Sequence, residues 1–163
     1  MFKKILAAII VLASACSFAL SADEFFKEPI GKLRLGLSAS EVKKAIPCDR
    51  KRGPEQLWGA DGAYHKEWVY ADCGITLGMV SEKKGAPKAI ESITLVSPSD
   101  LSTKSGIRIG STEQEGMKVY ASHWNKEDSS PGKTFVAGSV YGGLMFDFNA
   151  GTVSRIFLGA AAE

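Results

Sequence analysis

The side chains able to do chemistry are few: His65 and His123, and the three cysteines Cys16, Cys48 and Cys73. Two histidines are too few for a His-rich metal centre, and neither stands in a His-Glu-x-x-His pair. No Gly-x-Ser-x-Gly elbow exists to seat a serine beside either ring. Gly132-Lys133-Thr134 resembles the close of a phosphate-binding loop. The glycine that loop needs five places before Gly132 is Glu127, so the cradle is incomplete. Asp147 could meet a remote carboxylate as a glycosidase requires, but no spacing supplies the second acid, and it reads as an ordinary strand residue. The sequence therefore assigns no catalytic, cofactor-binding or metal-binding residue, and a non-enzymatic protein is expected.

The cysteines point to a compartment. Met1-Phe2-Lys3-Lys4 is a basic lead, and Ile5 to Leu20 is apolar or small. That order is the pattern of a secretory signal peptide over residues 1–22, with cleavage after Ser21 or Ala22. The apolar run ends too early for a membrane span, since Asp23 and Glu24 follow. A rival reading is a lipobox, Leu12-Ala13-Ser14-Ala15-Cys16, in which Cys16 would be lipidated and the protein anchored to a membrane. Its leucine stands one place early. Export leaves Cys48 and Cys73, an even pair in an oxidising compartment, and a disulfide is the simplest use of them. Closing a loop of 25 residues contributes about 3 kcal/mol in the chain-entropy view. The expected location is periplasmic or secreted, or the outer membrane if Cys16 carries lipid.

Charge narrows the partners. The chain of 163 residues has 20 Lys+Arg against 18 Asp+Glu. Removing Lys3 and Lys4 with the leader leaves 18 of each. A balanced chain offers no basic stripe for nucleic acid, and a membrane contact is expected only through Cys16. With 45% hydrophobic and 23% charged residues, the composition is that of a folded domain.

The elements follow from a repeated segment. Leu33-Arg34-Leu35-Gly36 returns as Ile107-Arg108-Ile109-Gly110, and the same spacing carries Ser38 onto Thr112 and Glu41 onto Glu115. Ser38-x-x-Glu41 and Thr112-x-x-Glu115 are capping boxes, in which hydroxyl and carboxylate satisfy each other's free amides. They predict helices from Ser38 to Ile46, stopped by Pro47, and from Thr112 to His123. Alternation predicts strands at His65 to Cys73, Ile75 to Val80, Ala89 to Val96, Lys133 to Tyr141, Gly143 to Phe148 and Thr152 to Leu158. The fold class is α+β: two tandem helix-then-antiparallel-strands repeats, residues 23–100 and 101–163, forming one sheet with its helices on one face.

Gly-x-Ser/Thr-x-x-Glu opening a helix, followed by a strand meander and given twice, resembles the tandem fold of β-lactamase inhibitory proteins over about residues 30–160. The single unit is also similar to small outer-membrane-assembly lipoproteins. Gly116 departs from the pattern, which would have an apolar residue there. The resemblance implies a non-enzymatic protein binder whose open sheet face is its contact surface.

Strand parity names the residues of such a face. If Cys73 points into the core, then Trp68 and Tyr70 point away from it. If Phe146 and Phe148 are core, Met145 and Asp147 lie opposite, joined by Arg155 and Phe157 from the return strand. Aromatics with Met and Arg suit an interaction surface. The competing reading covers Trp68 and Tyr70 with the 53–64 loop, which holds Trp58 and Tyr64. Two functions are expected: an exported binding module, inhibitor-like, that engages a protein partner, or an envelope structural or assembly factor anchored at Cys16. A periplasmic hydrolase ranks third.

Overall fold

Ser38 and Thr112 each open a helix, α1 (Ala39–Ala45) and α2 (Glu113–Val119). The computed structural model describes Phe25 and residues 27–161, so the signal peptide expected over residues 1–22, with Cys16, lies outside the described residues. In α1 the Ser38 amide donates to Glu41 Oε2 at 2.9 Å, and the Glu41 amide donates to the Ser38 hydroxyl. In α2 the Thr112 amide donates to Glu115 Oε2 at 2.8 Å, with the reciprocal bond from the Glu115 amide at 3.2 Å. Both capping boxes are complete. The second helix is shorter than the sequence suggests. It stops before Tyr120, and a separate 3-10 turn covers Ala121–His123. Tyr120 leaves the helix to bury its ring against Phe146, the centroids 5.4 Å apart, with its hydroxyl donating to Glu28.

Seven strands follow: β1 (Lys51–Leu57), β2 (Tyr64–Tyr70), β3 (Ile75–Ser81), β4 (Ala89–Val96), β5 (Thr134–Ser139), β6 (Gly142–Asn149) and β7 (Thr152–Gly159). They form one antiparallel sheet in the order β1-β2-β3-β4-β7-β6-β5. The protein is therefore α+β, with a seven-stranded antiparallel sheet and two α-helices among the described residues. β4 and β7 meet at the centre, where Ile93 faces Leu158 and Leu95 faces Ile156. All four are fully buried in one core with Val42 and Ile46 of the α1 region and with Tyr120 after α2. Each helix start is stitched to a central strand. Gly36 N donates to Ile90 O at 2.8 Å, and Ile90 N returns a bond to Leu37 O at 3.0 Å. Gly110 N donates to Val153 O at 2.8 Å, and Val153 N returns a bond to Ser111 O at 2.8 Å. Gly36 and Gly110 have φ of 76° and 87°, a region closed to most side chains.

Two expectations are corrected. Residues 51–57, expected in part as loop, are strand β1. Pro54 sits on this edge strand at a register shift between Arg52 and Glu55, the place a sheet tolerates proline. Cys48 and Cys73 are disulfide-bonded with Cα atoms 6.2 Å apart, as the cysteine count implied. Cys73, however, lies in a 3-10 turn, Ala71–Cys73, beyond the end of β2. The turn breaks the alternation, so Cys73 does not set the parity of β2. Trp68 faces Leu77 and Tyr70 faces Ile75, and both aromatics belong to the core at 6% and 2% exposure. They do not lie on the open face.

This placement has a direct consequence. Trp68→Ala should lower unfolding free energy by about 3–5 kcal/mol, the usual cost of deleting a core aromatic, measured by urea denaturation. A loss under about 1 kcal/mol would place the ring outside the core.

The caps and Tyr120 set the pH limits. Glu41 is held below its ordinary 4.5, first by the Ser38 hydroxyl, and Glu115 likewise, first by the Thr112 amide. Burial pushes the Tyr120 phenol up to about 12 from its ordinary 10.0. A lowered acid stabilises the fold fully above 4.5 and loses that contribution as pH falls through its folded value. A raised phenol contributes fully below 10.0 and loses it as pH climbs towards about 12. The thermal midpoint should therefore fall on both sides. Glu41→Gln should make the acid limb shallower without abolishing it, since Glu115, Glu55 and Asp61 are lowered too, and Tyr120→Phe should affect the alkaline limb alone.

Candidate functional site

Alternation along the central strands divides the sheet into a helix-covered face and an open one. Thr94 faces Phe157 and Val96 faces Arg155 across β4 and β7, with side chains turned from the core. β6 adds Met145 opposite Phe157 and Asp147 opposite Arg155. The expected parity of Met145, Asp147, Arg155 and Phe157 therefore agrees with the structure. Their environment differs from the expected exposed aromatic surface. Met145 and Phe157 pack with Val136 and Val140 into a small cluster of their own and are 6% and 8% exposed. Arg155 donates to Asp147 Oδ2 at 2.9 Å, and the Thr134 hydroxyl donates to Asp147 Oδ1 at 2.8 Å. The Arg155 guanidinium also lies 5.0 Å from the centroid of the Phe157 ring. These four residues form a braced floor with one ion pair open to solvent.

The concave part of the open face lies beside that floor, towards β1. A hollow of about 410 Å³ is bounded by Trp58, His65, Glu67, Thr94, Glu91 and Phe157, among others. A bulge shapes it. Ser92 faces Gly78 and Ile90 faces Met79, which leaves Glu91 as the extra residue of β4. A bulge bends the strand and re-aims the side chain it carries. Gly78 leaves room opposite it: a Cβ there would meet Ser92 Oγ, and the hydroxyl would have to turn aside.

His65 organises the wall. Its Nδ1 lies 2.8 Å from Glu91 Oε1 and its Nε2 lies 3.0 Å from Asp61 Oδ2. Trp58 stacks on the ring at 3.8 Å between centroids and 13° between planes. Asp61 belongs to the tip of the β1–β2 hairpin and Glu91 to β4, so one buried imidazole ties the hairpin tip to the middle of the sheet. The Asp61 carboxyl is held below its usual range, first by the Ala63 amide; desolvation opposes this, and the His65 ring lowers it further. Both ring nitrogens lie within hydrogen-bond distance of carboxylate oxygens. The second histidine, His123, meets Ser122 Oγ at 3.0 Å and the edge of Phe25 elsewhere in the molecule. Among the described residues, no three His, Cys, Asp or Glu side chains converge as metal ligands.

The sequence alone did not single out Trp58, Asp61 or Glu91 as parts of a site. Asp61 and His65 are four residues apart, a spacing that signals nothing in a hairpin. Glu91 meets His65 only because β2, β3 and β4 are neighbours. No protein family model, curated protein or solved structure matches the chain.

Cutting the clamp should loosen the hairpin locally. His65→Phe keeps a ring for Trp58 to stack on and removes both polar contacts. Amide exchange at Trp58 and Gly62, which bond across the tip to Ala63 and Trp58 carbonyls, should quicken about tenfold or more, as a lost buried polar contact of 1–3 kcal/mol implies. Exchange in β6 and β7 should stay unchanged. Unaltered exchange at the tip would show that the hairpin holds its shape without His65.

Proposed function

We propose that the chain is an exported, non-enzymatic binding module that engages a protein partner through the open face of its sheet. The observation that carries this reading is the hollow between Trp58 and Phe157, preformed on a sheet face that no helix among the described residues covers. A concave, braced site with aromatic walls and a few fixed polar groups suits recognition. The contact residues are revised accordingly. Trp68 and Tyr70 leave the set, Met145 and Phe157 become its floor, and Asp147, Arg155, Trp58, Glu67 and Thr94 form its accessible part. The leader over residues 1–22, the neutral mature chain and the Cys48–Cys73 bridge support a periplasmic or secreted location.

The two-repeat architecture is part of the same proposal. Ser38 bridges to Ala89 at the start of β4, and Thr112 bridges to Thr152 at the start of β7. With the matched capping boxes and the matched Gly36 and Gly110 bonds, these support two copies of one helix-and-meander unit, the arrangement implied by the resemblance to β-lactamase inhibitory proteins. An inhibitor-like role belongs to that resemblance. The sequence Leu12-Ala13-Ser14-Ala15-Cys16 favours a second reading, an envelope structural or assembly factor held to the membrane by lipid on Cys16. Release from membranes by Cys16→Ser would support the second reading, and soluble wild-type protein would oppose it.

Site-specific crosslinking tests the binding face. A photoreactive residue at Thr94, on the open face, should give a discrete adduct with one protein in envelope extract. The same residue at exposed Lys43, on α1, should give none. Adducts of equal yield from both positions, or none from Thr94, would overturn the open face as the contact surface.

A further inference from the structure

On the helix side of the sheet, two buried side-chain donors among the described residues have no hydrogen-bond partner: Arg50 Nε and Trp68 Nε1. They belong to one stack. The Arg50 guanidinium carbon lies 3.8 Å from the centroid of the Trp68 ring, and that of Arg52 lies 5.7 Å from it. Buried polar groups almost always have partners, and an exception marks a place where water or an ion belongs. Both orphans are donors, so the missing group is an acceptor.

The charges around the stack are equally one-sided. A hollow of about 360 Å³ beside the ring is lined by Trp68, Arg52, Lys66, Glu55 and Lys88, with residues 85–87. Glu55 is already committed. It takes Lys88 Nζ at 2.9 Å and the Gly85 amide at 3.0 Å, and Lys88 holds its carboxyl below the ordinary range. Lys88 is saturated in turn by the Tyr64 carbonyl and the Ser81 hydroxyl. Among the described residues Arg50, Arg52 and Lys66 make no ion pair, although Lys66 lies near enough to Glu55 to help hold its carboxyl down. The register explains the convergence. Arg52 faces Trp68 across β1 and β2, and Glu55 faces Lys66 after the shift at Pro54, so all four share one face. A planar guanidinium laid against an aromatic ring keeps its edge N–H groups aimed outwards, the geometry that grips oxygen pairs.

We propose that this hollow binds an oxyanion, a carboxylate or phosphate group, held by Arg52 and Lys66 above the Arg50–Trp68 stack. The site lies on the other face from the protein-binding hollow and stands or falls separately. It gives Arg52 and Lys66 a counter-charge and places an acceptor beside Trp68, whose indole N–H lacks one.

The test is a titration of the purified full chain with sodium phosphate and, separately, sodium succinate, with chloride holding the ionic strength constant. The readout is the indole N–H resonance of Trp68, assigned by its loss in Trp68→Phe and compared with that of Trp124. A saturable shift of the Trp68 signal with either anion, absent from Trp124, is expected. Preference for phosphate would identify a tetrahedral ligand, and preference for succinate a planar carboxylate. Arg52→Gln and Lys66→Gln, both at the rim, should each weaken binding tenfold or more, whereas Lys43→Gln should not. No saturable shift with either anion would overturn the proposal and leave water as the partner of the two donors. A shift undiminished in both rim variants would overturn it equally.

Discussion

The pairing of β4 with β7 is the constraint on which the rest of the molecule depends. Each is the last strand of its own meander, and four register pairs, Ile93–Leu158, Thr94–Phe157, Leu95–Ile156 and Val96–Arg155, join the halves into one sheet. The alternation of that short ladder decides which residues meet which environment. Ile93, Leu95, Ile156 and Leu158 enter the core with the helix residues Val42 and Tyr120. Thr94, Val96, Arg155 and Phe157 are left on the far side. A slip of one residue would exchange the two sets, moving Arg155 into the core and Leu158 to the open face. The core face is therefore what fixes the open face, and the helix starts lock the register by bonding to Ile90 and Val153 beside it.

What was legible in the sequence was what local physics determines. The capping boxes gave both helix starts because their bonds span three residues and need no distant partner. Met145, Asp147, Arg155 and Phe157 were placed on their face because β6 alternates from Leu144 to Asp147 and β7 from Arg155 to Leu158, on the near side of the register shift at Ser154. β1 was obscured because Gly53 and Pro54 interrupt the strand signal, and only the pairing with β2 restores it. The error at Trp68 and Tyr70 came from carrying parity through Asp72 into Cys73, where the chain had already left the strand. The disulfide was anticipated by counting. Its position at the end of a 3-10 turn was not, since a bridge fixes a distance and says nothing of strand phase. The His65 clamp depends on three strands being neighbours and on a bulge at Glu91, and neither is encoded within a short window.

The weak point of the sheet explains where its buried charges sit. β1 is an edge strand with a proline and a register shift, and such a strand makes a poor ladder. Two polar clamps hold it and its hairpin, one on each face. On the helix side, buried Lys88 draws Glu55 of β1 towards the carbonyl of Tyr64 and the hydroxyl of Ser81. On the open side, buried His65 draws Asp61 of the hairpin tip towards Glu91. Lys88 and His65 are among the few polar side chains buried in the interior, and each is matched by protein partners, the condition under which burial of a polar group is tolerated.

Those clamps give the hairpin two chemically distinct faces. Lys66 and Glu67 are consecutive residues of β2, and the strand turns their side chains to opposite sides. The helix-side surface of the hairpin carries Arg50, Arg52 and Lys66 around Trp68, with its one lining acid neutralised by Lys88. The open surface carries Glu67, Glu91 and Asp61 around His65 and Trp58. A near-neutral chain thus separates its charge by sheet face, which net charge cannot reveal. The two hollows share β1 and β2 as a common wall, so a displacement of β1 that widens one must alter the other. The Glu55–Lys88 and Asp61–His65–Glu91 contacts are the restraints on that displacement. They fix the shape of both hollows, the preorganisation that would lower the entropy lost in the proposed binding roles.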